Sequence, residues 1–342
     1  MAIITHLIVE EYGAFISKHQ GRLHVKKGKD VLQRAPLMHL EQVIVSGKAV
    51  SVSAEAVAAC AGLGIPIHFV SFGGSPYASL YAAGLTGTVQ TRRAQLQAYD
   101  DSRGVKLALA IASAKIKNQA SLLRYMAKYR KETAPEVYQE LSWLWAEVED
   151  HLVQLERLTS VNHVDELRND LMGIEGRAAQ KYWQGVKQTV QVGPHWPGRK
   201  TRGAADPVNS ALNYGYGILY GQIERAIVLA GLDPYAGFIH ADRPGKPSLV
   251  LDLIEEFRQP AIDRTVFAML NKGTVIDLDD KGRLTDPTRQ ALIAKILERL
   301  DKPEKYGRQK LPLRLIIQSQ ARHLATFVRG DRADYHGFVV KW

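Results

Sequence analysis

Between His240 and Arg264 the chain gathers a histidine, carboxylates and cations: His240-Ala-Asp-Arg-Pro-Gly-Lys-Pro-Ser-Leu-Val-Leu-Asp-Leu-Ile-Glu-Glu-Phe-Arg258, closing on Asp263-Arg264. Glu255 and Glu256 follow Asp252 by three and four residues, the spacing that puts side chains on one face of a helix. The turn before them, rich in Pro and Gly, can fold His240 back onto that face. An imidazole and carboxylates around one point suit a hard divalent cation, and through it chemistry on phosphate. Arg243 and Lys246 in the turn offer cations to phosphate oxygens. The same residues also fit a plain helix, solvated outside and packed by Leu253 and Phe257.

Two further segments carry chemical side chains. Glu175 stands between Gly173 and Gly176 in Leu171-Met-Gly-Ile-Glu-Gly-Arg-Ala-Ala-Gln-Lys-Tyr-Trp183, an otherwise helical pattern. Two glycines cost a helix about 2 kcal/mol relative to alanine, so close approach of another element or a ligand is the expected reason for them. Asn209-Ser-Ala-Leu-Asn-Tyr-Gly-Tyr-Gly-Ile-Leu-Tyr220 interleaves Asn, Tyr and small residues. It can line a groove for phosphates or splayed bases, with Tyr214 among the contacts, or make a tight helix–helix contact. The remaining histidines form no ligand spacing. There is no His-Glu-x-x-His and no Gly-x-Ser-x-Gly, and Gly245-Lys246-Pro247 does not fit a phosphate loop.

The elements that must position these residues fall into two textures. Residues 1–86 read as β-rich, with strands over Ile3–Glu10, Ala14–Lys18, Arg22–Lys26, Met38–Ser46 and Ile65–Ser71, and a turn at Gly73–Pro76. One Ala-rich helix, capped by Ser53 and stopped by Gly62 and Gly64, interrupts them. From residue 87 to 342 the pattern is helical: Val89–Tyr129, Pro135–Leu158, Val164–Val186, Asp206–Ala230, Ser248–Leu270, Pro287–Leu300 and Leu311–Phe327, with one small strand at Val275–Asp279. The expected fold class is α+β: a small N-terminal β-sandwich-like domain followed by a larger all-α-helical C-terminal domain.

Composition narrows the partners. A chain of 342 residues, 46% hydrophobic and 23% charged, should be folded through most of its length. No apolar run approaches a membrane span, the start lacks the pattern of a secretory signal, and the single cysteine excludes a disulfide framework. Cys60 reads as a small buried hydrophobe, and the whole fits a reducing cytoplasm. The net charge of +10 favours a polyanion. From Gly176 to Ala205 the chain carries Arg177, Lys181, Lys187, Arg199, Lys200 and Arg202 and no acid. From Lys302 to Asp334 it carries eight cations against three acids. Clusters of this kind point to nucleic acid.

Three blocks then carry a family resemblance: Met172-Gly-Ile-Glu175-Gly-x-Ala-Ala-x-x-Tyr182-Trp183; Asp206-Pro-Val-Asn209-x-x-Leu-Asn-Tyr214-Gly-Tyr216; and the stretch His240 to Arg264. Together they resemble the CRISPR-associated integrase and endonuclease that captures spacers, the first of the Cas series. Ala114-Lys-Ile-Lys-Asn118-Gln119 resembles a further segment of that family. The resemblance implies that Glu175, His240 and Glu255 coordinate Mg²⁺ or Mn²⁺, with Asp252 as an accessory acid, second to the ligands or touching the metal, and Glu256 as a less favoured substitute. Lys246 stands where the family usually carries Arg. Double-stranded DNA with 3′ ends is the implied partner, met by Arg177, Lys181, Arg199, Lys200, Arg202, Arg243, Lys246 and Arg258. A homodimer through residues 1–86, bridged by a small ferredoxin-like CRISPR adaptation protein, and no membrane, complete the expectation. A non-catalytic DNA-binding scaffold and a stand-alone repair nuclease are the alternatives that the residues themselves leave open.

Overall fold

The computed structural model describes residues 6–40, 42–71, 76–81, 89–190, 196–201 and 203–342. The chain divides into two compact units, Met1–Thr86 and Gly87–Trp342.

The first unit is built on two four-stranded sheets. One has the order β1 (His6–Val9), β5 (Gln42–Val45), β7 (Ile67–Val70), β8 (Pro76–Leu80), parallel up to the antiparallel β8. The other has the order β4 (Asp30–Pro36), β3 (Arg22–Lys27), β2 (Phe15–His19), β6 (Ser51–Val52). Alternating side chains from both, among them Leu7, Val9, Ile16, Leu23, Val25, Val43 and Ile67, share one core with α1 (Ala54–Gly62). Ser53 caps α1 by accepting the amide of Ala56 at 3.2 Å. Cys60 is buried in that core, where desolvation pushes its thiol up to about 11, so it is a packing residue. Strand β4 was not expected from the sequence. All but its last two residues are exposed, so it lacks the alternation that marks a half-buried strand. The expected turn at Gly73–Pro76 falls mainly on residues 73–75, outside the described residues.

The second unit is mostly helical. The single helix expected over Val89–Tyr129 is two, α2 (Val89–Tyr99) and α3 (Ser102–Ala127). Asp101 starts the second by accepting the amide of Arg103 at 2.8 Å. Helix α3 packs against α4 (Pro135–Glu156) and α5 (Val164–Thr189). A Cβ at Gly185 of α5 would stand 2.6 Å from Leu123 of α3, so there the helices need glycine to meet. Helix α6 (Pro207–Leu229) is buried along nearly its whole length, with Gly215 against Ile262 and Ile296. Helices α9 (Asp286–Asp301) and α10 (Leu313–Val328) follow. Between them a hairpin, β9 (Pro303–Tyr306) and β10 (Gln309–Pro312), corrects the expectation of an all-helical domain. Val275–Asp279 forms no strand, only an isolated bridge from Leu278 to Leu284. Among the described residues no helix is long and apolar enough to cross a membrane.

The segment expected as one helix over Ser248–Leu270 is broken into α7 (Ser248–Leu253), a 3-10 turn (Ile254–Glu256), a π-helical stretch (Arg258–Asp263) and α8 (Arg264–Asn271). Pro260 supplies the reason. It has no amide to give the carbonyl of Glu256, and its ring would strike that carbonyl in a regular helix. Asn118 of α3 donates to the Glu256 carbonyl instead, at 2.9 Å.

Candidate active site

The break at residues 254–263 sends the three acids in different directions. They do not share one face, as regular helical pitch would have it. Asp252 is fully buried and turns back to the loop before it. Its Oδ2 accepts the amides of Phe238 at 2.6 Å and Ile239 at 3.0 Å, and its Oδ1 accepts the amide of His240 at 2.9 Å and the ring Nδ1 of His240 at 2.7 Å. A carboxylate oxygen on Nδ1 selects the ring tautomer with its proton on that nitrogen, so Nε2 is the nitrogen that a neutral His240 would offer to a ligand. Gly237 lets the loop come this close, because a Cβ there would lie 2.8 Å from Asp252 Oδ2.

Glu256 turns the other way, into the C-terminal segment. It is fully buried and accepts from Tyr335 Oη at 2.5 Å, the Phe338 amide at 2.7 Å and Gln320 Nε2 at 2.8 Å. Burial still pushes its carboxyl up to about 7 against these three donors. It takes part in holding the chain end rather than in a site.

Glu255 faces Glu175 of α5, and the ammonium of Lys115 on α3 lies between them. Lys115 Nζ is 3.3 Å from Glu175 Oε2 and 3.0 Å from Glu255 Oε2, and Arg258 Nε is 3.1 Å from Glu255 Oε1. All three elements bury the carboxylates: Glu175 is 8% and Glu255 4% exposed. Burial works to raise both carboxyls. At Glu255 the cations Arg258 and Lys115 and the nearby His240 outweigh it and hold the group down to about 2. At Glu175 burial prevails over Lys115, and the facing Glu255 adds to it, so that carboxyl sits above its ordinary value. His240 acts electrostatically on both, lowering each carboxyl.

Glu175 and Glu255 are therefore neighbours through Lys115, and His240 acts on both at longer range. Among the described residues, however, no group of three His, Cys, Asp or Glu side chains stands close enough to hold a metal ion at once. The donor set nevertheless fits a divalent cation. Glu175 Oε1 is buried and accepts no hydrogen bond, and Glu255 Oε2 meets Lys115 as an ion pair outside hydrogen-bond geometry. Together with His240 Nε2 these are one carboxylate oxygen without a hydrogen bond, one held only by the Lys115 ammonium, and an imidazole nitrogen.

The expected DNA contacts divide. Arg177, Lys200 and Arg243 are exposed, and Lys246 is half-buried in the turn that its amide closes on the Arg243 carbonyl at 3.0 Å. Lys181 is paired with Glu147 at 3.0 Å. Arg199 donates to Asn213 Oδ1 at 2.7 Å and Asn209 Oδ1 at 3.1 Å and lies over the rings of Tyr216 and Trp183, so it braces the basic loop against α6. Arg258 is bound to Glu255 and lies 4.6 Å over Tyr216. Tyr214 is a correction: it is 2% exposed, on the face of α6 turned into the core, and cannot meet DNA. Arg202 lies outside the described residues. Gly173 and Gly176 meet no other element: a Cβ at Gly176 would find nothing within 4 Å, and one at Gly173 only the side chain of Arg177.

Sequence reasoning assigned Lys115 no role. Its signal was present, a lysine within the helical block Ala114–Gln119 whose Asn118 and Gln119 are both buried, but neither spacing nor periodicity ties that block to acids far along the chain.

A family model described as CRISPR associated protein Cas1 matches residues 7–298. The chain is 37% identical over 347 residues to CRISPR-associated endonuclease Cas1 1 of Archaeoglobus fulgidus, covering 98% of this chain and 99% of that one. It is 34% identical over 337 residues to CRISPR-associated endonuclease Cas1 1 of Francisella tularensis subsp. novicida, with 98% and 99% covered. Among solved structures, a casposase bound to integration product is similar with a TM-score of 0.82 at 21% identity, over 97% of this chain and 93% of that one. A CAS1 protein from Thermotoga maritima has a TM-score of 0.75 at 18% identity, over 98% and 99%. A chain of a Cas6-RT-Cas1–Cas2 complex has 0.74 at 21%, over 99% of this chain and 36% of that one.

Proposed function

The chain belongs to the Cas1 family of CRISPR-associated proteins, and on that premise we propose that Glu175, His240 and Glu255 are the ligands of the Mg²⁺ or Mn²⁺ with which it joins DNA. It is an integrase and endonuclease of CRISPR adaptation, joining the 3′-hydroxyl ends of captured DNA to the CRISPR repeat. The observation that carries the site is the buried carboxylate pair of Glu175 and Glu255, in which Glu175 Oε1 accepts no hydrogen bond, together with an imidazole whose Nδ1 is tied to Asp252.

When bound, a divalent cation supplies Lewis-acid polarisation of the scissile phosphoryl oxygen. The residues do the rest. Asp252 fixes the orientation of the His240 ring through Nδ1, leaving Nε2 as the nitrogen for the cation. Glu175 and Glu255 provide the negative charge that draws the cation, and Arg258 pins Glu255 from behind. Arg243 and Lys246 in the turn, with Lys200 of the basic loop and Arg177 on α5, give the DNA backbone its cations. In strand joining, a 3′-hydroxyl gives up its proton and its oxygen forms a bond to phosphorus as the bond from phosphorus to the neighbouring 3′ oxygen breaks, and the departing oxygen takes up a proton in turn. Water in place of the hydroxyl gives cleavage by the same displacement. Residues 1–86 serve dimerisation in this reading, and a small ferredoxin-like Cas protein bridges the homodimer. The similarity to a Cas1–Cas2 complex supports such a partner.

The test is an integration assay in Mn²⁺, with and without the partner protein and after chelation. Glu175→Ala, His240→Ala and Glu255→Ala should each reduce strand joining by about 100-fold or more while DNA is still bound. Wild-type rates in all three variants would sink the assignment.

A further inference from the structure

The ammonium of Lys115 lies where a cation shared by Glu175 and Glu255 would have to lie, 3.3 Å from one carboxylate and 3.0 Å from the other. The lysine comes from α3, Glu175 from α5 and Glu255 from the 3-10 turn, so three separate elements bring their charges to one buried point. Two carboxylates face Lys115 and Arg258, and the charges balance. The two cations are not held alike. Arg258 is fixed between Glu255 and the ring of Tyr216, whereas Lys115 has the two carboxylates as its partners among the described residues, at the end of a flexible four-carbon stem. A divalent cation reaching the same oxygens would stand against the ammonium in a region of low dielectric, and only the lysine is free to move.

We propose that Lys115 is a built-in counter-ion of the site, which lets Glu175 and Glu255 be buried together and which a divalent cation must displace in order to bind. This inference rests on the ligand assignment above. Lys115 is a positioning residue in this role. Cation binding at the site is an exchange of one charge for another, and its affinity is set lower than the three ligands alone would give.

Calorimetric titration of the intact chain with Mn²⁺ alone tests it, on the wild type, Lys115→Met and Lys115→Arg. Lys115→Met should bind Mn²⁺ about tenfold more tightly or better. Its melting temperature without added metal should fall, and Mn²⁺ should raise it by more than it raises that of the wild type. Lys115→Arg, which keeps the charge and can bond both carboxylates at once, should bind Mn²⁺ more weakly than the wild type. Equal or weaker binding by Lys115→Met overturns the proposal. If that variant does not fold, Lys115→Arg decides, and equal or tighter binding by it overturns the proposal. Glu255→Gln in the otherwise native chain separates the two readings. Loss of Mn²⁺ binding there upholds the ligand assignment whatever the lysine variants do, and retained binding removes both.

Discussion

Asp252 accepts four hydrogen bonds, two on each carboxylate oxygen, and so has no lone pair left for a cation. Its work is done through His240. Exchange for asparagine would aim an amide NH2 at two of the four donors and loosen the hold on the ring. Asp252→Asn should therefore lower Mn²⁺ affinity by about 10–100-fold in calorimetry, with DNA affinity unchanged. An unchanged Mn²⁺ affinity would show that the ring is held by other means. The three acids of this stretch thus meet three different sets of partners, which residue type could not foretell. A carboxylate at the spacing of Asp252, Glu255 and Glu256 is equally able to bind a metal, orient a histidine or anchor a chain end. What separates them is which donors the fold brings to each.

At the scale of elements the deciding feature is the irregular passage from residue 254 to 263. Pro260 breaks the helix, and Asn118 takes up the carbonyl that the break leaves without a partner. Asp263 at its end accepts from Tyr182 at 2.6 Å and from Tyr216, and burial pushes its carboxyl up to about 6. These bonds account for two tyrosines that stood in the sequence blocks without a role. The same passage turns Glu256 into the segment 335–340, where it stays largely protonated up to about 7. In an unfolded chain that carboxyl loses its proton near 4.5. Between the two values the folded protein binds the extra proton, so its stability falls as pH rises through that window, by up to about 3 kcal/mol. Melting curves from pH 5 to 8 should show a steeper loss in the wild type than in Glu256→Gln, where Asp263 and Glu175 still contribute. The same slope in both would remove Glu256 as its source.

Over the whole molecule, the net charge of +10 is less available than a count suggests. Lys181, Arg199 and Arg258 are engaged inside the second unit, and Arg314 and Arg329 are paired with Asp301 and Asp331. Lys200 and Arg243 remain exposed. Each of Lys200→Ala and Arg243→Ala should reduce the salt slope of DNA binding by about 0.9, whereas Tyr214→Phe should change stability and leave DNA affinity alone. Filter-binding titrations at several salt concentrations would read both. A slope unchanged by either cation's removal would take that residue out of the interface.

The sequence by itself determined the division into a β-rich and a helical part, most helices, and a small set of residues around which a cation could bind. Those rest on local causes: hydrophobic period, caps such as Ser53, glycine stops, and blocks specific enough to carry a family resemblance. It did not determine strand β4, whose exposed residues carry no alternation, nor the break at Pro260, although the proline stood in plain view. Only the tertiary structure decided that Asp252 serves His240, that Glu256 serves the chain end and that Tyr214 belongs to the core. It alone also put Lys115 between Glu175 and Glu255. That pairing joins residues 60 and 140 positions apart, and no local pattern encodes a contact made by burying charges from three separate elements at one point.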